Sequence, residues 1–249
     1  MAKPQKHIRC QVGDIGEYVL IPGDPARAQK IAERLSNAKL ISSNREFTVF
    51  TGWLDATKVS VCSTGIGGPS ASIAIEELAR IGGKYFVRVG SAGGRQEEVP
   101  IGSLTIATSA YRGDGTSREY APIAFPAVAD ITITNALINA CKRLGYPYYA
   151  GVVYSRDAYY VQDEKLNQFL KTAGVVAAEQ ECATIFVVGA VRRLHVGAIL
   201  ATDSNIWLKD QPSATEKERL FSKGEQMAIT AAIEAIRMMI DSTDEHFGN

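Results

Sequence analysis

The chain has 249 residues, with 27 Lys plus Arg against 27 Asp plus Glu, a formal net charge of zero. Hydrophobic residues make up 46% and charged residues 22%, the balance of an ordinary globular protein. There is no apolar run long enough to span a bilayer, and zero net charge argues against a broad nucleic-acid surface.

The first ten residues, MAKPQKHIRC, are polar and do not read as a secretory signal, so a cytoplasmic protein is expected. The four cysteines, Cys10, Cys62, Cys141 and Cys182, form no CxxC pair and are expected to be reduced. The three histidines are scattered, with no zinc-ligand spacing. No linker, repeat or low-complexity tract interrupts the chain, so a single domain over residues 1–249 is expected.

In chain order, Tyr18 to Ile21 reads as a buried strand. Gly23-Asp24-Pro25 then supplies a turn, an N-cap and a proline suited to a first helical turn. Ala28, Ile31, Ala32 and Leu35 follow at helical spacing. Val59 to Cys62 is the next strand, and Gly65-Ile66-Gly67-Gly68 a tight turn into a helix bearing Ala71, Ala74, Ile75, Leu78 and Ile81. Tyr85 to Val89 is a strand entering a glycine loop over residues 90–94. Leu104 to Ala107 is a strand, and Ile133 to Leu144 a helix stopped by Gly145. Val152-Val153, Val175-Val176 and Gly197 to Ala201 read as strands. Residues 181–194 form an apolar helix, and Ile229 to Ile240 line one face of a last one. Alternating apolar strands and helices predict an α/β fold, a mixed sheet with helices on both faces.

Ligands in such folds sit beyond the carboxyl ends of the strands. At those points stand Gly23 and Arg27, a helix start with a guanidinium suited to an anion. Arg88 lies inside an apolar strand, where a charge is unfavourable unless paired or binding something, with Ser91 close behind. Glu179-Gln180-Glu181 either caps the following helix or holds ligand hydroxyls. Asp203 ends another strand and is a turn residue or a general acid. Tyr159-Tyr160 pack in the core or offer a platform for a flat ring. A base, a sugar diol and a phosphate would use all of these features together.

Several segments sharpen that reading: Gly-Asp-Pro-Ala-Arg (23–27), Asn-Arg-Glu-Phe (44–47), Val-Cys-Ser-Thr-Gly-Ile-Gly-Gly-Pro-Ser (61–70), Arg-Val-Gly-Ser-Ala-Gly (88–93), Phe-Pro-Ala-Val-Ala-Asp (125–130), Ser-Arg-Asp-Ala-Tyr-Tyr (155–160) and Glu-Gln-Glu-Cys-Ala-Thr (179–184). Through them the chain resembles the nucleoside phosphorylase-I family, which holds hexameric purine nucleoside phosphorylases and uridine phosphorylases. The resemblance implies a three-layer α/β/α fold and reversible phosphorolysis of nucleosides. Inorganic phosphate is then the co-substrate, with no organic cofactor.

It implies a phosphate site at Gly23, Arg27, Arg88 and Ser91, with Arg45 reaching in from a neighbouring subunit. It implies ribose contacts from Glu181, Gln180 and a neighbour's His7, and a base site at Tyr159, Tyr160, Glu179 and Asp203. It further implies a hexamer built as a trimer of dimers, and a monovalent cation such as K+ at Glu46, Ile66 and Ser70. Two positions depart from the family: Gln180 replaces the usual Met, and Arg156 the usual Ser. Residues 161–165 lack the Gln-x-Arg pair with which uridine phosphorylases read uracil, and Asp203 matches the aspartate facing purine N7. Purine nucleosides are therefore expected, with uridine as the alternative, and a same-fold nucleosidase or a non-catalytic nucleoside-binding protein further behind.

Overall fold

A computed structural model describes residues 3–247, with side chains described through residue 242. Ten strands run β1 (Tyr18–Leu20), β2 (Ser36–Asn44), β3 (Phe47–Leu54), β4 (Thr57–Cys62), β5 (Tyr85–Gly94), β6 (Leu104–Gly113), β7 (Ala127–Val128), β8 (Tyr148–Arg156), β9 (Ala177–Glu179) and β10 (His195–Asn205) among the described residues. Seven helices accompany them: α1 (Pro25–Ala32), α2 (Gly68–Arg80), α3 (Thr116–Tyr120), α4 (Ile131–Leu144), α5 (Glu164–Thr172), α6 (Cys182–Arg192) and α7 (Ala214–Phe247).

All strands belong to one mixed sheet. β1 lies between β4 and β5, parallel to both, and β10 runs parallel to β5 on its other side. β6 pairs antiparallel with β10 and parallel with β8, β8 with β9, and β9 returns antiparallel to β5. Strands β5, β10, β6, β8 and β9 thus close a ring, while β1, β4, β3 and β2 extend the sheet from β5 to an edge at β2. One apolar core, under α2 and α6, fills one face, and a second, under α1, α4 and α7, fills the other. The expected helix–sheet–helix layering is what forms. No helix among the described residues is long and apolar enough to cross a membrane.

Local chemistry explains most boundaries. Asp24 caps α1 by accepting from the Ala26 N–H at 2.9 Å, with Pro25 following. Gly145, at φ +67°, ends α4 in the left-handed conformation. All four cysteines are buried free thiols.

Three expectations are corrected. β5 does not stop at Val89 but runs through the glycines to Gly94, because β10 and β9 pair with it there. Val175-Val176 precedes β9 instead of forming a strand. Leu35 falls just beyond α1, packed in the second core. The β2–β3 hairpin and α5 were not expected. β2 is exposed and follows no apolar period, whereas Phe47, Val49 and Thr51 alternate inward along β3, a signal that was present.

Gly68 opens α2 where helices meet. A Cβ there would lie 2.4 Å from Thr184 Oγ1 and 2.8 Å from Thr116 Oγ1. Thr184 is held by Asp114, which also binds Ser117, so it has little room to yield. Gly68→Ala is expected to lower stability by about 1–3 kcal/mol, read as a shift of the urea unfolding midpoint.

Candidate active site

The strand ends converge on a cavity of about 1190 Å³. Its walls include Gly23 and Arg27 after β1, Gly65, Ile66 and Ser70 after β4, Arg88 to Arg95 on and beyond β5, Glu179 to Glu181 after β9, and Asp203 on β10. Residues far apart in sequence thus share one wall because β1, β4, β5 and β10 run in the same direction.

At one end the β1 and β4 loops touch. The Gly65 N–H donates to the Gly23 carbonyl at 2.9 Å, and a Cβ on Gly23 would sit only 3.1 Å from the Gly65 oxygen. Any larger residue there would crowd the Gly65 carbonyl. Arg88 Nη1 lies 4.0 Å from that same Cβ position. Arg27 is 5% exposed, its Nε bonded to Glu225 at 2.7 Å and Nη1 to the Val89 carbonyl at 3.2 Å.

The far side of Arg88 meets carboxylates. Nη2 donates to Glu181 Oε2, and Nε lies 3.4 Å from Glu179 Oε2 without forming a hydrogen bond. Glu181 Oε1 accepts from the Gly67 N–H at 2.6 Å. Burial raises the Glu181 carboxyl above its usual range against the pull of Arg88, and Glu179 adds to the rise.

Glu179 lines the cavity with its carboxylate already held by protein partners. Its carboxylate accepts from the N–H groups of Glu181 and Cys182 and from the Ser155 hydroxyl, so it caps α6. Gln180, on the cavity wall, donates its amide to the Asp157 carbonyl, 2.9 Å away, and so ties its loop to the end of β8.

Asp203 is placed by a break in pairing. Thr202 pairs with Ala92 and Ser204 with Gly93, leaving Asp203 as the extra residue of a bulge. A bulge re-aims one side chain, here into the cavity. Burial raises the Asp203 carboxyl above its usual range, while the Ser204 hydroxyl at 2.7 Å, Arg27 and Arg95 oppose the rise. A carboxyl with a raised pKa beside a ligand can serve as a general acid.

Tyr159 and Tyr160 sit at the rim, 55% and 92% exposed, edge to face with ring centres 5.1 Å apart. They are not core. Arg156 forms no ion pair among the described residues; its guanidinium lies over Tyr159 and bonds the Val161 carbonyl at 2.9 Å.

His7 and Arg45 do not line the cavity of their own chain. His7 Nδ1 is 2.7 Å from Glu77, which also accepts the backbone N–H groups of His7 and Ile8. Arg45 is exposed in the two-residue turn between β2 and β3 at φ +56°, a conformation costing a non-glycine residue about 1–2 kcal/mol. Glu46, next in the turn, does line the cavity and accepts from Ser70 Oγ at 2.9 Å. Glu46, Ile66 and Ser70, the positions the resemblance implies for a monovalent cation at a subunit interface, lie together on the cavity wall.

Arg95 was missed by sequence reading. It is 3% exposed and lines the cavity near Asp203. A strand that ends at Val89 leaves Arg95 beyond the glycine loop, with nothing to single it out. Its signal was its position directly after the Gly93-Gly94 pair that ends an apolar strand.

One wall of the cavity thus holds Arg27, Arg88, Glu181 and the Asp203 carboxyl. The chain matches the profile of the Phosphorylase superfamily over residues 17–237. It is 40% identical to uridine phosphorylase of Treponema pallidum over 246 residues, 94% of this chain and 93% of that protein. It is 34% identical to guanosine phosphorylase of Halorubrum lacusprofundi over 239 residues, 95% and 99% of the two chains. The crystal structure of uridine phosphorylase from Vibrio fischeri superposes with a TM-score of 0.87 at 35% identity, covering 94% of this chain and 97% of that one. The chain belongs to the phosphorylase superfamily, and by class it is a nucleoside phosphorylase.

Proposed function

We propose that the cavity catalyses reversible phosphorolysis: a nucleoside and inorganic phosphate give the free base and ribose 1-phosphate. The observation that carries this reading is Arg88, which faces the Gly23 loop with Nη1 and holds Glu181 with Nη2. Phosphate at the Gly23 loop, beside Arg27, then lies next to ribose hydroxyls at Glu181. The C1′–N bond breaks as a phosphate oxygen bonds C1′. The bonding pair leaves with the base, and Asp203 supplies a proton to it. Positive charge on C1′ is stabilised by the adjacent phosphate, aligned by the arginines.

Uridine stands first as the substrate, since the relatives from Treponema and Vibrio bear that name. The purine preference expected from residues 161–165 gives way to it. Guanosine is the second reading, favoured by the Asp203 carboxyl on its bulge and by the Halorubrum relative. His7 and Arg45 act in the cavity of a second copy, in keeping with a hexamer of shared sites.

Base release from uridine and guanosine, each with and without phosphate, tests the proposal. Uracil release that depends on phosphate is expected. Equal release without phosphate would instead mean a hydrolase, and no release under either condition would overturn the reading.

A further inference from the structure

Arg95 is a buried cation that the protein leaves unpaired. Among the described residues no carboxylate forms an ion pair with it, and its Nε is enclosed without a protein partner. Nη1 donates only to the Gly93 and Gly94 carbonyls, at 3.2 and 3.1 Å. Burial, with repulsion from Arg156, lowers it to about 10. Holding a charge in that state is unfavourable unless a ligand completes its bonding.

Its place in the cavity is defined. A Cβ on Gly93 would lie 3.0 Å from Arg95 Nη1 and 2.9 Å from Ser204 Oγ, and Ser204 in turn bonds Asp203. Arg95 therefore shares the Asp203 end, with the Gly23 loop and Arg88 forming the phosphate end. On the phosphorolysis reading, on which this inference rests, the Asp203 end holds the base.

A guanidinium offers donors only. It meets an exocyclic oxo group and a neighbouring ring acceptor well, as arginine meets O6 and N7 of guanine. An amino group at the same ring position would set N–H against N–H and leave both unpaired. We propose that Arg95 is a specificity-determining residue that reads an exocyclic oxo group on the base. The substrates are then oxo-bearing nucleosides such as uridine, inosine and guanosine, and the amino-bearing cytidine and adenosine are rejected.

Phosphorolysis by the wild type, Arg95→Leu and Arg95→Lys is compared for inosine against adenosine and for uridine against cytidine. In the wild type, kcat/KM for the better oxo member is expected to exceed that of its amino partner by about 100-fold. Arg95→Leu should narrow that ratio about tenfold or more, by loss on the oxo member, with KM for phosphate unchanged. Arg95→Lys should keep part of the ratio. Binding of free hypoxanthine against adenine, and of uracil against cytosine, to the wild type by calorimetry gives a readout independent of whether a variant folds. Comparable kcat/KM or affinity within the pairs, or a ratio that survives Arg95→Leu, would overturn the role of Arg95 while leaving phosphorolysis intact. Absence of any phosphate-dependent cleavage would remove both.

Discussion

Arg88→Met is expected to destabilise the protein by about 3–5 kcal/mol and to lower kcat/KM for phosphorolysis by about 10³-fold. The two effects share one cause. Arg88 is 4% exposed, and its guanidinium stands between the Glu179 and Glu181 carboxylates. Removing it leaves two buried carboxylates facing each other with no cation between them. Breaking a buried pair in this way costs far more than the pair contributes net. The rate effect follows from the proposed reaction, in which the same guanidinium, set between the Gly23 loop and Glu181, aligns phosphate with ribose. Urea denaturation and steady-state kinetics measure the two losses separately. Glu181→Gln should cost less stability, since it removes a buried like-charge neighbour of Glu179 while keeping an acceptor for Arg88 and Gly67. A stability change below about 1 kcal/mol for Arg88→Met would show that the trio is not the buried ionic cluster described above.

Asp203→Asn should lower kcat by about 10² to 10⁴-fold with little change in KM, the pattern of an interaction made in the transition state. The activity of the wild type should fall as pH rises through the raised Asp203 value, because the protonated carboxyl is the working form. That alkaline limb should vanish from the residual activity of the variant. Stability should fall over the same pH range. A carboxyl whose folded pKa lies above its unfolded one contributes stability that is fully present below the unfolded value. That contribution is lost as pH rises through the folded value. Above the folded value the ionised, largely enclosed Asp203 therefore weighs against the fold. Asparagine removes that charge at constant shape, so above that value the variant should unfold at an equal or higher urea concentration than the wild type. A variant that loses stability as well as rate would argue that Asp203 is structural.

The zero net charge of the sequence concealed how its charges are arranged. Sequence reading placed the arginines at phosphate and the acids at sugar and base, as separate groups. In the fold Arg88 and Glu181 meet directly, and Arg27 is paired with Glu225, 198 positions away. No spacing along the chain announces such partners. Arg95 illustrates the same point from the other side: among the described residues no carboxylate pairs with it, and nothing along the chain announces that either.

The residue pattern by itself determined the α/β class, the turn and capping chemistry at Asp24 and Gly145, and the composition of the site, with Gly23, Arg27, Arg88, Glu181 and Asp203 all in the cavity. These are local properties, set by apolar periodicity, by the few residues that suit a cap or a left-handed turn, and by the cost of a charge inside an apolar run. Tertiary structure alone decided the rest. Pairing with β10 and β9 carried β5 through its glycines and brought Arg95 to the wall. An extra residue opposite β5 aimed Asp203 inward, and the start of α6 claimed Glu179 as its cap. Each of these depends on which segments, distant in sequence, come to share hydrogen bonds, and that follows from the closure of the whole sheet, which no single stretch of residues encodes.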